Sequence, residues 1–248
     1  GTCDMKGFDA MAIWALVEAK KRGVKRPLQL ALSYDEEVGC TGAPAMIDAM
    51  VASGMARASA AIIGEPSMMK VVTGHKGGIG FNVHVRGFEV HSSLLHTGVN
   101  AVMFGAKLID WCNEMNAANA AKAPAPMDTG FVPPYTTVHV GMVSGGTAHN
   151  ITAKDCHFVL TFRAVPSEPM QIWVDAFEAK VAGIAAQMQA IHPDTGIDYT
   201  PKFDVPGLKP EVEGEAEQIV RLLTGDNAVN VVSYATEAGQ FQERGYSA

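Results

Sequence analysis

Between residues 78 and 203 the apolar period of the chain switches in an order that few folds accept. A strand pattern, "GIGFNVHVRG" (78–87), gives way to a helical one, "NAVMFGAKLIDWCNEMNA" (100–117). Two strand patterns follow, "TTVHVGMVSG" and "DCHFVLTFR", then a helix over 168–190 and a last strand, "GIDYTPKF". Period-2 runs bury one face of a sheet and 3.6-period runs bury one stripe of a helix, so this order predicts a βαββαβ unit, the split βαβ arrangement. The second helix is rich in alanine, which suits close packing on a sheet or on another subunit. The low-complexity piece "NAANAAKAPAPMDTG" (116–130) reads as a helix end followed by a proline-rich loop.

Both flanks of this unit have the rhythm of an α/β domain. A helix over about 7–22 closes at Gly23, and "PLQLALSY" (27–34) reads as a strand. A second helix starts near Pro44 and stops at Gly54, with proline and glycine as the expected punctuation. "AAIIGEPS" reads as a short buried strand that runs into Glu65. Near the far end "AVNVVSYATEAG" delivers Glu237 to a glycine turn. Three strands thus end in carboxylates, and in an open α/β sheet functional groups gather at the carboxyl ends of strands. The predicted organisation is one α/β domain built from residues 1–78 and 205–248, with residues 79–204 inserted as a second domain.

Charge and composition narrow the function classes. The net charge of −7, with no dense Lys/Arg block, argues against nucleic acid as a partner. No apolar run approaches the roughly 18 residues of a membrane span, and no signal segment opens the chain. Cys3, Cys40, Cys112 and Cys156 form no C-x-x-C pair, so neither a thiolate zinc site nor a disulfide framework is indicated, and a reducing cytoplasm fits best. The opening "GTCDMKG" reads like the middle of a longer chain.

The stretch "LSYDEEVGCTGAPAMI" (32–47) sets three consecutive acids between an apolar run and a glycine-rich turn. One reading is a solvated turn that caps the following helix. The other is a metal site: two divalent ions 3.5 to 4 Å apart, on the order usual for such centres, need a bridging carboxylate, terminal ligands and a base for the shared water. Asp4, Glu36, Glu37 and Glu65 supply acids for these parts, although Asp4 also reads as a solvated terminal acid. Adjacent residues on a strand point to opposite faces, so Glu36 and Glu37 can serve one site only if the strand has ended before them; Gly39 and Gly42 suggest that it has.

"GTCDMKG", "SYDEEVGCTGA", "GEPS", "GHKG" and "GFEVHSS" occur in the order in which the dinuclear-zinc deacylase and exopeptidase family carries such motifs, and the likeness runs over nearly the whole chain. The sequence most resembles the branch that removes the acetyl group from N2-acetyl-L-ornithine to give ornithine and acetate in arginine biosynthesis. The resemblance implies a zinc-peptidase-like catalytic domain with a ferredoxin-like lid at 79–204 that mediates homodimerisation. It implies two divalent ions, zinc or cobalt, bridged by Asp4, with Glu37 and Glu65 as terminal ligands on opposite ions. Glu36 becomes the general base that takes a proton from the water held between the ions. His91, in "EVHSS", would polarise the scissile carbonyl in the neighbouring subunit's site, although it also reads as a buried structural histidine. Asn150, in "GGTAHNIT", is implied as a substrate donor or is a turn residue. Arg163 would take an α-carboxylate bidentately, or forms an edge-strand salt bridge.

Two family features are absent from the sequence: an H-x-D motif upstream of the bridging aspartate and a downstream "AH" segment. With two of five protein ligands missing, the chain as printed is expected to bind metal poorly and to be inactive, while the intact protein hydrolyses its substrate. The competing readings are another N-acyl amino acid deacylase or dipeptidase of the same family, and a metal-free, non-catalytic member. Glu237 carries no assigned role. His75 and His84 read as histidines that satisfy backbone carbonyls, and Trp14 and Trp111 as core or interface.

Overall fold

In the computed structural model, which describes residues 2–248, the period-2 runs of the middle segment form a four-stranded sheet. Its strands are β2 (Gly77–Arg86), β3 (Thr137–Gly145), β4 (Asp155–Ala164) and β5 (Gly196–Val205), in spatial order β3-β4-β2-β5. β3 and β4 pair antiparallel, with an irregularity between Val140 and Val143. Gly87 N–H donates to the Lys154 carbonyl at one end of β2, and Gly78 abuts Arg163 at the other. β2 and β4 therefore also run antiparallel. Helices α3 (Ala101–Ala120) and α4 (Met170–Gln189) follow β2 and β4.

Alternation along the strands decides which face these helices cover. On β4 Cys156, Phe158, Leu160 and Phe162 are buried and the residues between them are not; on β2 Phe81, Val83 and Val85 are buried. These side chains meet Leu108 and Trp111 of α3 and Phe177, Val181 and Ile184 of α4 in one core, where each large side chain stabilises the unit by about 1.5–3 kcal/mol. Phe81 and Phe177 stack with ring centroids 4.5 Å apart. Asn100 starts α3, its side-chain oxygen accepting from Met103 N–H at 3.1 Å and contributing about 1 kcal/mol. The opposite face of the sheet carries Asn82, His84, Arg86, Asp155, His157 and Arg163, none of them buried.

The chain divides into two compact units: residues 78–129 with 133–204, which hold this sheet, and residues 1–77, 130–132 and 205–248. In the latter, α1 (Gly7–Arg22) ends at Gly23, whose φ of 63° lets its N–H reach the Ala19 and Lys20 carbonyls. Lys20, Lys21 and Arg22 occupy the last turn, where cations complement the helix dipole. α2 (Ala43–Ala52) carries Pro44 in its first turn. Ala43 and Ile47 pack with Phe241 and Tyr246, two aromatics supplied by α6 (Ala238–Glu243) and the residues after it. α5 (Glu215–Thr224) precedes β6 (Asn230–Val232), which pairs in parallel with β1 (Val72–His75).

Two expectations fail here. Residues 27–34 run without any ladder, and 60–67 make only a single bridge, Ala60 to Ser247. An apolar run becomes a strand only where a neighbouring edge accepts its backbone groups; neither segment has such an edge among the described residues, and Leu28, Leu32 and Ile62 stay exposed. Trp14 is also exposed, at 54 %, whereas Trp111 lies in the core as expected. Among the described residues no helix is long and apolar enough to cross a membrane.

Candidate active site

The acids that end the expected strands meet in one place. After Tyr34 the backbone reverses: Asp35 takes a left-handed conformation (φ 58°), Glu36–Val38 form a 3-10 turn, Gly39 has φ 120° and Cys40 φ 56°. Gly39 and Cys40 N–H both donate to the Glu36 carbonyl, at 3.0 and 2.9 Å. A Cβ on Gly42 would strike the Tyr34 carbonyl, so the turn closes tightly enough to require glycine there. Glu36 and Glu37 thus stand on a turn, not on alternate faces of a strand. Neither caps α2, whose N-cap is Gly42 with no side-chain hydrogen bond, so the helix-cap reading of these acids is set aside.

Electrostatics ties this turn to Asp4, Glu65 and Glu237. Burial raises the Glu36 carboxyl above its ordinary value, and Glu37 and Asp4 add to the rise while the Cys40 thiol opposes it. Glu65 is pushed up to about 7, by burial first and then by Glu36, Asp4, Glu237 and Glu37. Burial also raises Glu237, with a further contribution from Glu36 and an opposing hydrogen bond from the Ser33 hydroxyl. Cys40, whose thiol donates to Glu36 Oε1 at 3.5 Å, is pushed up to about 12 by burial and by the Glu36 charge. Gln240 Nε2 donates to the Cys40 carbonyl at 3.2 Å and so ties α6 to the acidic turn.

Glu237 is the residue that reading the sequence left without a role. It is 8 % exposed, accepts from Ser33 Oγ at 2.8 Å, and leaves Oε1 buried without a hydrogen-bond partner. The signal was present as a third acid after an apolar run, but a turn residue gives the same signal. Glu65 and the buried His75 line a cavity of about 470 Å³ whose other walls include Phe8, Val71 and Val220. His75 satisfies the Lys76 carbonyl through Nδ1 at 3.0 Å, and burial pushes it down to about 4.

An oxygen-rich set of carboxylates whose charges raise the proton affinity of Glu36, Glu65 and Glu237 suits hard and borderline divalent cations, because a cation relieves the repulsion. In donor chemistry the residues fit a metal centre. Among the described residues their spacing does not form a closed ligand set, and the three side chains that do bring one ligand atom each within 4.8 Å of one another are His84, Asp155 and His157, on the sheet of the other unit.

The remaining expected site residues lie in that unit. His91 and Asn150 sit on paired loops: Ser92 N–H donates to the Asn150 carbonyl at 2.8 Å, and Thr152 N–H to the Val90 carbonyl at 2.9 Å. His91 is exposed, so the buried structural reading is excluded. Its Nδ1 accepts from Ser93 N–H at 3.3 Å, which leaves the proton of the neutral ring on Nε2. Arg163 is at the far end of β4, its guanidinium over the Phe203 ring at 5.8 Å and in no ion pair among the described residues. The eight residue steps of strand from Asp155 to Arg163 span about 26 Å, so the structure joins His91 to Asn150 and holds both away from Arg163.

Residues 73–189 match the peptidase dimerisation domain of the M20 type. Among relatives of the chain, the acetylornithine deacetylase of Myxococcus xanthus is 32 % identical over 255 residues, covering 100 % of this chain and 62 % of the relative. The acetylornithine deacetylase of Pasteurella multocida is 28 % identical over 98 % of this chain and 60 % of its own length. Among solved structures, a tripeptidase from Staphylococcus aureus superposes with a TM-score of 0.67 at 18 % identity, covering 95 % of this chain and 59 % of that one. The chain therefore spans about three fifths of the length of the curated relatives it matches. The expected α/β class with a dimerisation-type insert is borne out.

Proposed function

We propose that the protein of which this chain is part is a metal-dependent deacylase that hydrolyses an N-acyl amino acid, with N2-acetyl-L-ornithine as its substrate. The observation that carries the reading is the convergence of Asp4, Glu36, Glu37, Glu65 and Glu237 from segments far apart in sequence into one mutually repelling cluster. The names of the relatives supply the substrate.

In this reading Asp4, Glu37 and Glu65 are the residues that would hold two divalent ions. Such ions, when bound, make water a stronger acid and polarise an amide carbonyl. Glu36 takes a proton from the attacking water and returns it to the leaving amine. Its burial and its acidic neighbours favour the first half of that task, since a carboxylate with a raised pKa is a stronger base. His91, with its proton on Nε2, donates to the developing oxyanion, a contribution on the order of 3 kcal/mol per donor. Asn150 helps to hold the substrate, and Arg163 takes the α-carboxylate as a planar two-pronged donor.

The span of β4 supports a homodimer. No N-acyl amino acid is long enough to touch Arg163 and the His91–Asn150 pair of one chain, so a site that uses both draws them from two chains related by a two-fold axis. The free, mostly buried cysteines support a reducing, cytoplasmic setting.

Mixing Glu36→Gln and His91→Ala homodimers of the full-length protein tests base and partner histidine together. Each homodimer is expected to be nearly inactive on N2-acetyl-L-ornithine. Random subunit exchange makes half the dimers mixed, each with one sound site, so about a quarter of wild-type activity returns. No return after exchange is confirmed by mass spectrometry would remove His91 from the partner's site.

A further inference from the structure

In the unit built on the four-stranded sheet, the open face of that sheet carries a group of side chains that the proposed reaction does not use. His84 stands on β2, and Asp155 and His157 stand two positions apart on β4, the neighbouring strand. Alternation decides their direction: Val83, Val85, Cys156 and Phe158 point into the core, so the residues between them point away from it. The antiparallel register set by Gly87 N–H on the Lys154 carbonyl places His84 opposite His157. Their rings lie 4.1 Å apart, centroid to centroid, with 16° between their planes. His84 Nε2 and Asp155 Oδ1 are 2.7 Å apart. One ligand atom from each of the three side chains falls within 4.8 Å of the other two.

We propose that His84, Asp155 and His157 form a binding site for one borderline divalent transition ion, of the class of Zn²⁺, Co²⁺, Ni²⁺ and Cu²⁺, on the open face of this sheet. Two imidazole nitrogens and one carboxylate oxygen are the donors such ions prefer, and three protein ligands leave positions for water. The ion takes the place of the hydrogen bond between His84 and Asp155, and acid competes with it for the imidazole nitrogens.

The surroundings favour a cation at this point. Arg86, the guanidinium on the same face of β2, is turned to the β5 side, where it pairs with Asp198 and donates to the Asp194 carbonyl at 3.0 Å. Asp155 Oδ1 lies 2.7 Å from His84 Nε2, so its carboxylate faces the imidazoles. The strand backbones fix the Cβ positions, while His84 is half-buried and His157 exposed, which leaves both rings able to turn about Cβ–Cγ until their nitrogens converge. An ion held here would join β2 to β4 through side chains in addition to the backbone ladder. Its donors would differ from those that this chain offers in the acidic cluster, Asp4, Glu37 and Glu65, which are all oxygens.

That difference in donor atoms supplies the test. Cu²⁺ is added in steps to the whole chain, and its paramagnetic resonance spectrum is read for nitrogen couplings, which a carboxylate-only centre does not give. The first equivalent is expected to show coupling to two nitrogens, and His84→Ala/His157→Ala, two non-core substitutions checked by circular dichroism, should abolish it. Equilibrium dialysis against Zn²⁺ should show one ion per chain fewer in the double variant, and Asp155→Asn should weaken Zn²⁺ binding at least tenfold. Glu65→Gln should leave the nitrogen signal unchanged. Wild type without nitrogen coupling, or a double variant that keeps both the coupling and the Zn²⁺ count, overturns the proposal. Should the double variant fail to fold, Asp155→Asn decides by itself: unchanged Zn²⁺ affinity overturns the site.

Discussion

Ser33 Oγ donates to Glu237 Oε2 across 2.8 Å and 204 positions of chain. This bond joins a segment that makes no ladder to the N-terminus of the last helix, and it is the one hydrogen bond that lowers the proton affinity of Glu237. Ser33→Ala should therefore raise that affinity further and destabilise the fold by about 1 kcal/mol, read by urea unfolding. Glu237→Gln removes a charge that acts on Glu65 and Cys40. The Glu65 titration, followed by carbon NMR, should then move to lower pH; an unmoved titration means that the two carboxylates do not interact.

Glu65 sets a pH dependence of stability. Its carboxyl rises from 4.5 to about 7 on folding, so the folded state holds the proton more tightly than the unfolded chain. Its contribution is fully present below pH 4.5 and is lost as pH rises through about 7. With chelator present, the chain should melt at a lower temperature at pH 8 than at pH 6, and Glu65→Gln should flatten that difference.

His75 works in the opposite sense at lower pH. Burial takes it from 6.5 to about 4, so the unfolded chain binds the proton first. The stability it supplies is present above pH 6.5 and is lost as pH falls through about 4. Replacing His75 with glutamine should reduce the loss of stability between pH 6 and pH 4 in calorimetric scans.

Gly87 follows β2 just ahead of the His91 loop. A Cβ there would overlap the Val99 carbonyl oxygen and come within 2.6 Å of that of Ala153. Gly87→Ala should cost about 2–3 kcal/mol, the range of an overpacked site that must shift backbone, and it should displace the loop. A variant with unchanged urea midpoint would show that the loop yields.

The four thiols should separate by reactivity. Cys3 is exposed; Cys40 and Cys112 are buried with thiols pushed up to about 12, and burial raises Cys156 as well. Since the thiolate is the nucleophile, alkylation of the native chain at pH 8 should modify Cys3 alone, as read by peptide mass spectrometry, and urea should release the other three.

The sequence by itself determined whatever depends on neighbours along the chain. The stop of α1 at Gly23 follows from one residue's access to positive φ, and the start of α2 from Pro44. The strands and helices of the middle unit follow from runs long enough to show which face is apolar. The apolar run at 27–34 marked its residues as half-hidden, yet it did not become a strand, because pairing depends on an edge elsewhere. Convergence was decided only in three dimensions. The acidic cluster could be anticipated through family motifs, but Glu237 joins it because the first turns of α6 pack against the Cys40 loop, a contact between residues 200 positions apart. His84 and His157 face each other through strand register, to which neither strand's own pattern points. The reason is physical: periodicity fixes which way a side chain points from its own backbone, whereas the distance between two side chains depends on how separate segments pack.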